Sequence, residues 1–195
     1  GKPPLNVFFK LGLNLDRDLK LQSHINSVYS KLLSGTAVLT RLRYLTTVSL
    51  RMAIYFSIIE SHVSYMLGIY GGTYETAINR IIIKLKKRSV RIVSGAVYLA
   101  HTKELFQRLR ILPYCNLYSM CVTLLITPSF KNLQKPSHHY GTRRKTAGLL
   151  SLTEMRKTAS RKSMIPNSII LYNNLPDEIR NYLENICERT SGNSV

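Results

Sequence analysis

Ile78-Asn79-Arg80-Ile81-Ile82-Ile83-Lys84-Leu85-Lys86-Lys87-Arg88-Ser89-Val90-Arg91-Ile92-Val93 is the stretch on which the fold turns. On a helical wheel of about 100° per residue, Ile78, Ile81, Ile82, Leu85, Ile92 and Val93 gather on one side. Arg80, Lys84, Lys87, Arg88 and Arg91 gather opposite. An apolar stripe at this period predicts a helix with one face in a core. The other face carries cations with no carboxylate among them. Such a face can follow successive phosphates of a nucleic-acid backbone. The plainer alternative is a solvated face, but solvated faces usually mix both signs.

Upstream, Ile25, Val28, Tyr29, Leu32, Leu33, Leu39, Leu42 and Leu45 recur near helical spacing, with Ser23 as the expected N-cap. Gly35 sits inside that pattern and weakens it. Thr46-Thr47 are expected to end this helix and to cap a second one running to about Ile69. Gly71-Gly72 break the chain there. Thr73 is expected to cap the basic helix, with Glu75 in its first turn and Gly95 as its C-terminal stop. Two shorter helices follow. One starts at Thr102 with the stripe Leu105, Leu109, Leu112, and one covers Asn116 to Ile126. At the N-terminus, Phe8, Phe9, Leu11, Leu13 and Leu15 suit a short strand or hairpin arm, closed by a turn at Asp16-Arg17-Asp18. Residues 127–162 are rich in cations and contain Pro128 and Pro136, which predicts loops, with short strands around Leu149 to Leu152. Pro166 and Pro176 open two further short helices, and the tail from Ile186 is expected to fray. The expected fold is mainly α: a helical bundle with a short N-terminal β segment and a basic, loop-rich C-terminal region.

With 45% hydrophobic residues the chain can bury a core. Its formal net charge of +18 lies far outside the usual range for a domain of this size and favours a polyanionic partner. The excess is local, since residues 80–162 hold 18 Lys/Arg against 2 Asp/Glu. Tyr140, next to His138-His139 and ahead of Arg143-Arg144-Lys145, could stack on bases within that region. Cys115, Cys121 and Cys187 are odd in number and form no Cys-x-x-Cys pair. Ordinary buried thiols in a reducing, intracellular compartment follow. The most apolar segment, Met52 to Tyr70, carries Glu60 and His62 and is read as a buried helix, not a membrane span.

Several chemistries are excluded. Two-metal polymerase chemistry needs paired carboxylates, and the three Asp are Asp16, Asp18 and Asp177, with no Asp-Asp pair. Asp16 and Asp18 read as turn residues. His24, His62, His101, His138 and His139 are scattered, so zinc spacing is missing. Neither a phosphate loop nor a serine-nucleophile motif occurs. No catalytic or metal-ligating residue is therefore assigned.

Taken together the segments resemble the region that follows the palm in jockey-type non-LTR retrotransposon reverse transcriptases. Leu11-Gly12, Leu15-Asp16, Leu19, Leu21 and His24-Ile25 resemble the family's Leu-Gly-x-x-Leu-Asp-x-x-Leu-x-Trp-x-x-His-Ile, with Leu21 in the place of Trp. Lys31-Leu32 with Gly35, Arg41-Leu42-Arg43, and Ser61-His62-Val63-Ser64-Tyr65 resemble its next motifs. Tyr70-Gly71-Gly72 stands at its Trp-Gly-x. Asn79-Arg80-Ile81, Lys86-Lys87-Arg88 and Arg91-Ile92 with Gly95 resemble its Asn-Arg-Ile…Gln-Lys-Arg-x-x-Arg-Ile…Gly run. Leu109, Ile111-Leu112 and Tyr118, then Tyr140-Gly141-Thr142-Arg143, then Leu171-Tyr172-Asn173 with Leu175-Pro176 and Ile179, complete the order. The similarity runs over about residues 8–183, and the chain contains no Trp.

The resemblance implies the last palm strands over 1–21, a helical thumb over 22–126 that packs on template–primer, and a basic C-terminal segment over 127–195. RNA, DNA or an RNA–DNA hybrid would be the partner, together with palm and fingers of the same polyprotein. The metal-binding Asp pair would lie upstream of Gly1, so Mg would belong to that part and this stretch would use no cofactor. The departures from the family pattern fit a decayed or truncated element copy. A stand-alone basic helical nucleic-acid-binding module, co-opted by the host, and a peripheral membrane protein with basic amphipathic helices are the competing expectations, and no membrane partner is expected.

Overall fold

Alternating apolar residues at the N-terminus make a hairpin. In the computed structural model, which describes residues 7–17, 21–72, 77–126, 149–152 and 163–192, β1 (Val7–Lys10) pairs antiparallel with β2 (Leu13–Asp16). Val7 stands opposite Asp16, and Leu11-Gly12 form the turn. Asp16 does more than end the strand. Its Oδ2 accepts the backbone N–H of Ser23 at 3.2 Å, in the first turn of α1 (Gln22–Leu42). A carboxylate at a helix N-terminus satisfies an orphan amide and complements the dipole. The expected cap, Ser23, is therefore inside the helix, and left-handed Leu21 precedes it.

Along α1, Ile25, Val28, Leu32, Gly35, Thr36 and Leu39 are buried at helical spacing. The helix stops at Leu42, one turn before the expected Leu45; Tyr44 and Leu45 are left in solvent. Gly35 is required for packing. A β-carbon there would sit 2.6 Å from Ile58 Cγ2 and 2.9 Å from Ile59 Cδ1, so the small residue lets the next element approach the α1 backbone.

That next element is not the single helix expected to run to Ile69. Thr47 does cap α2 (Val48–Ile54), its Oγ1 accepting the Leu50 N–H at 3.4 Å. The ladder then widens into a π-helical turn over Tyr55–Glu60 before α3 (Ser61–Ser64). It breaks at Tyr65-Met66, where Met66 is left-handed (φ 56°), and restarts as α4 (Leu67–Tyr70). Two tethers replace the lost ladder bonds: the Tyr65 hydroxyl donates to the Leu11 carbonyl, and the Tyr70 hydroxyl donates to the Val63 carbonyl.

The basic helix is α5 (Ala77–Ser94). It packs along α1, and a buried hydroxyl pair, Thr36 Oγ1 and Ser89 Oγ at 2.9 Å, joins the two. Ile82, Val90 and Val93 are fully enclosed; burying a side chain of this size stabilises by about 1.5–3 kcal/mol. Gly95 ends the helix as expected. It is left-handed (φ 73°), and the Ala96 N–H reaches back to the Arg91 carbonyl at 3.0 Å. Thr73 and Glu75 lie outside the described residues.

Two shorter helices follow, α6 (Thr102–Arg108) and α7 (Tyr114–Ile126). Leu105, Phe106 and Ile111 supply the buried contacts; Leu112, expected in the stripe, is exposed. The reason is a tight turn: Arg110 takes φ 53°, and the Ile111 N–H bonds the Phe106 carbonyl, which sends Ile111 inward. Cys115 is exposed and Cys121 half-buried, which corrects the expectation of buried thiols.

The chain divides into two compact units, residues 1–118 and 119–195, so α7 spans the division. In the second unit α8 (Met164–Asn173) and α9 (Asp177–Gly192) enclose Leu150, Ile169, Tyr172 and Leu183. Residues 149–152 form no strand. Instead the Asn173 side chain accepts the Leu150 N–H at 3.0 Å and donates to the Leu150 carbonyl at 3.1 Å, standing in for a partner strand. Pro166 lies in the first turn of α8, Pro176 precedes α9, and Asp177 and Glu178 occupy its first turn. Helix α9 continues past Ile186 to Gly192, because Ile186-Cys187-Glu188-Arg189 holds no breaker. The fold is mainly α, with a short two-stranded sheet at the N-terminus, as the periodicities predicted.

Candidate nucleic-acid interface

Helix α5 places its cations in three different settings. Lys84, Lys87 and Arg88 are exposed, and among the described residues none of them has an ion-pair partner. Arg91 is half-buried, and its Nε donates to the Ala100 carbonyl at 2.9 Å, pinning the loop that follows the helix. It is thus partly committed to structure. Arg80 belongs to the same helix, but its side chain lies outside the described residues, as do Tyr140, Arg143, Arg144 and Lys145 altogether.

The third setting was missed in the sequence. Lys86 is 1% exposed, on the core side of the helix. Its Nζ sits 3.0 Å from Glu60 Oε1 and 2.9 Å from Oε2. The Tyr55 hydroxyl donates to the same Oε2 at 2.8 Å. Tyr55 and Glu60 are the first and last residues of the π-helical turn, so the wider turn presents both to one cation. Burial pulls the Lys86 pKa down, and Glu60 opposes that shift. Burial first, and Glu60 second, push the Tyr55 hydroxyl far up, so it stays a donor. The wheel did hold a signal: Lys86 falls at about 80° from Ile78, between Ile82 and Val90.

The carbonyl end of α5 is covered by two arginines that no sequence pattern indicated. Arg51, next to the apolar run Met52 to Tyr70, is buried. Its Nε donates to the Val93 carbonyl at 3.0 Å, and its Nη1 donates to the carbonyls of Arg43 and Thr46 at 2.6 Å and 2.5 Å. Arg43 Nη2 donates to the Gly95 and Ala96 carbonyls at 3.0 Å and 2.9 Å. Cations at this end are favoured by the helix dipole. Both side chains serve structure, so neither counts toward a phosphate-binding face.

The motif residue His24 is buried on α1 with both ring nitrogens unpartnered, and its ring meets Tyr70 edge-on at 5.2 Å. Burial first, and the Lys31 charge second, lower its pKa. Asp16 is engaged at the α1 N-terminus, and among the described residues no three His, Cys, Asp or Glu side chains come together as a metal site. No catalytic step is derived from them. Among the same residues no helix is long and apolar enough to cross a membrane.

What the arrangement can do chemically is electrostatic. Three exposed cations, without an ion-pair partner among the described residues, stand on the outer face of a helix whose inner face is locked by apolar packing and a buried ion pair. Comparison with protein-family models, with curated proteins and with solved structures finds no match to this chain.

Proposed function

We propose that this chain binds the sugar–phosphate backbone of a nucleic-acid duplex through α5, as the thumb-side part of a non-LTR reverse transcriptase. The observation that carries the reading is the sorting of cations on α5. Among the described residues, Lys86 has a carboxylate partner and is buried, while Lys84, Lys87 and Arg88 are left in solvent without one and share a face. A surface whose charges served only solubility would not need to segregate them this way. The resemblance of ordered motifs across residues 8–183 supplies the polymerase context. RNA–DNA hybrid, DNA or RNA duplex are the partners this chemistry accepts, since backbone contacts carry little sequence information. The reading is tested by the salt dependence of binding to a primed RNA–DNA hybrid, with and without the three exposed cations.

A further inference from the structure

The cation stripe runs into an apolar tip. Beyond α5, Val97, Tyr98 and Leu99 are 75%, 72% and 83% exposed. Beside them, at the corner after α1, Tyr44 and Leu45 are 87% and 79% exposed. The two loops form one surface, because Arg43 Nη2 bridges to the Gly95 and Ala96 carbonyls while its guanidinium lies 5.4 Å from the Tyr44 ring centre. The Arg91 bond to the Ala100 carbonyl folds the second loop back against the last cation of the stripe. Large apolar side chains this exposed mark a surface that meets something.

We propose that this tip is a base-stacking platform that receives the exposed end of a duplex, or its first unpaired bases, while α5 holds the adjoining phosphates. The inference rests on the nucleic-acid reading above and names the form of its partner. Lys84 to Arg91 spans about 10 Å of helix at 1.5 Å per residue, a run of charge suited to a backbone. The tip offers two tyrosine rings and aliphatic side chains, which suit the flat apolar faces of bases. Aromatic rings stack on any base, and apolar side chains wedge against base steps. Only at a duplex end or a single-stranded junction are phosphates and bare base faces presented side by side. A lipid-inserting surface takes its cations at headgroup level; here the two at the tip, Arg43 and Arg91, donate to backbone carbonyls, and the exposed Lys84, Lys87 and Arg88 lead away along one helix.

The full chain is tested by fluorescence anisotropy on two hybrids of equal length, one with an open end and short overhang, the other closed at both ends by loops. The wild type should bind the open hybrid about five- to tenfold more tightly. Tyr98→Ala with Leu99→Ala should erase that preference and leave binding of the closed hybrid unaffected, since both side chains are exposed. A 2-aminopurine at the terminal position should change its emission with the wild type and not with the variant. Equal binding of both hybrids by the wild type, with a variant carrying Ala at Lys84, Lys87 and Arg88 weaker on each, would overturn the platform and leave the phosphate reading standing. Failure to bind either hybrid would overturn both. Flotation of the wild type, but not the Tyr98/Leu99 variant, with acidic phospholipid vesicles and no 2-aminopurine response would assign the tip to a membrane and overturn the proposal.

Discussion

Lys86 of the basic helix and Glu60 of the π-helical turn meet at 2.9 Å, inside a core that leaves Lys86 1% exposed. The pair fixes which face of α5 looks inward. Removing one partner strands the other charge in a desolvated site, which typically costs about 3–5 kcal/mol, whereas replacing both by apolar groups of similar size is often neutral. Lys86→Ala should therefore melt at a far lower temperature than Lys86→Met combined with Glu60→Leu. Thermal unfolding followed by circular dichroism measures both. Equal losses in the single and double variants would show that the contact is not a buried ion pair.

The stripe predicts a specific change in salt dependence. Each neutralised phosphate contributes about 0.9 to the slope of log affinity against log salt on B-form DNA. Replacing Lys84, Lys87 and Arg88 with Ala should lower the slope by roughly 2 to 3 units and weaken all duplex sequences about equally. Helicity should persist, because Ala is a strong helix former and the three side chains are exposed. An unchanged slope in a folded triple variant would refute the interface.

His24 gives the fold a pH dependence of predictable sign. Its folded pKa is lowered from 6.5 by burial and by Lys31, so below that value the unfolded chain takes up a proton that the folded chain resists. Stability is then fully present above pH 6.5 and declines as pH falls toward the lower folded pKa. His62 shifts the same way for the same causes, with less burial. Urea midpoints at pH 7.5 and pH 5.5 should differ for the wild type and differ less for His24→Leu. A wild type equally stable at both values would show that His24 is not held neutral.

Polymerase chemistry should be missing from this chain assayed alone. Asp16 is engaged with the Ser23 amide, Asp18 is separated from it by Arg17 in a turn sequence, and Asp177 lies far along the chain, so no Asp-Asp pair exists. No nucleotide incorporation on a primed RNA template should exceed that of a heat-killed control, with Mg²⁺ or with Mn²⁺.

What could be read in the sequence depended on the range of each interaction. Apolar periodicity located α1, α5 and α7, because a helical stripe is a local property. Thr47 and Gly95 were legible for the same reason, since caps act within a turn. The interior of residues 47–70 was not. Its π turn and its break at Met66 answer to partners distant in sequence: Lys86 for Glu60, and the Leu11 carbonyl for Tyr65. Asp16 was read as a turn residue because its amide partner lies across a loop. The outward face of α5 was legible as a stripe, but its sorting into unpaired, pinned and buried cations required the neighbours to be seen. Arg51 had no signal, since its partners are backbone carbonyls up to 42 residues away.

Those carbonyls give the cover formed by Arg43 and Arg51 a further meaning. An uncovered helix C-terminus carries roughly half a negative charge, and a polyanion lying along α5 would be turned away as it neared Ser94. Two guanidinium groups over the Val93, Gly95 and Ala96 oxygens place positive charge there. On the proposed function, a strand guided by Lys84, Lys87 and Arg88 would meet no electrostatic wall at the end of the helix and would pass beyond it. The same two side chains that hold the corner together would thereby keep the path open.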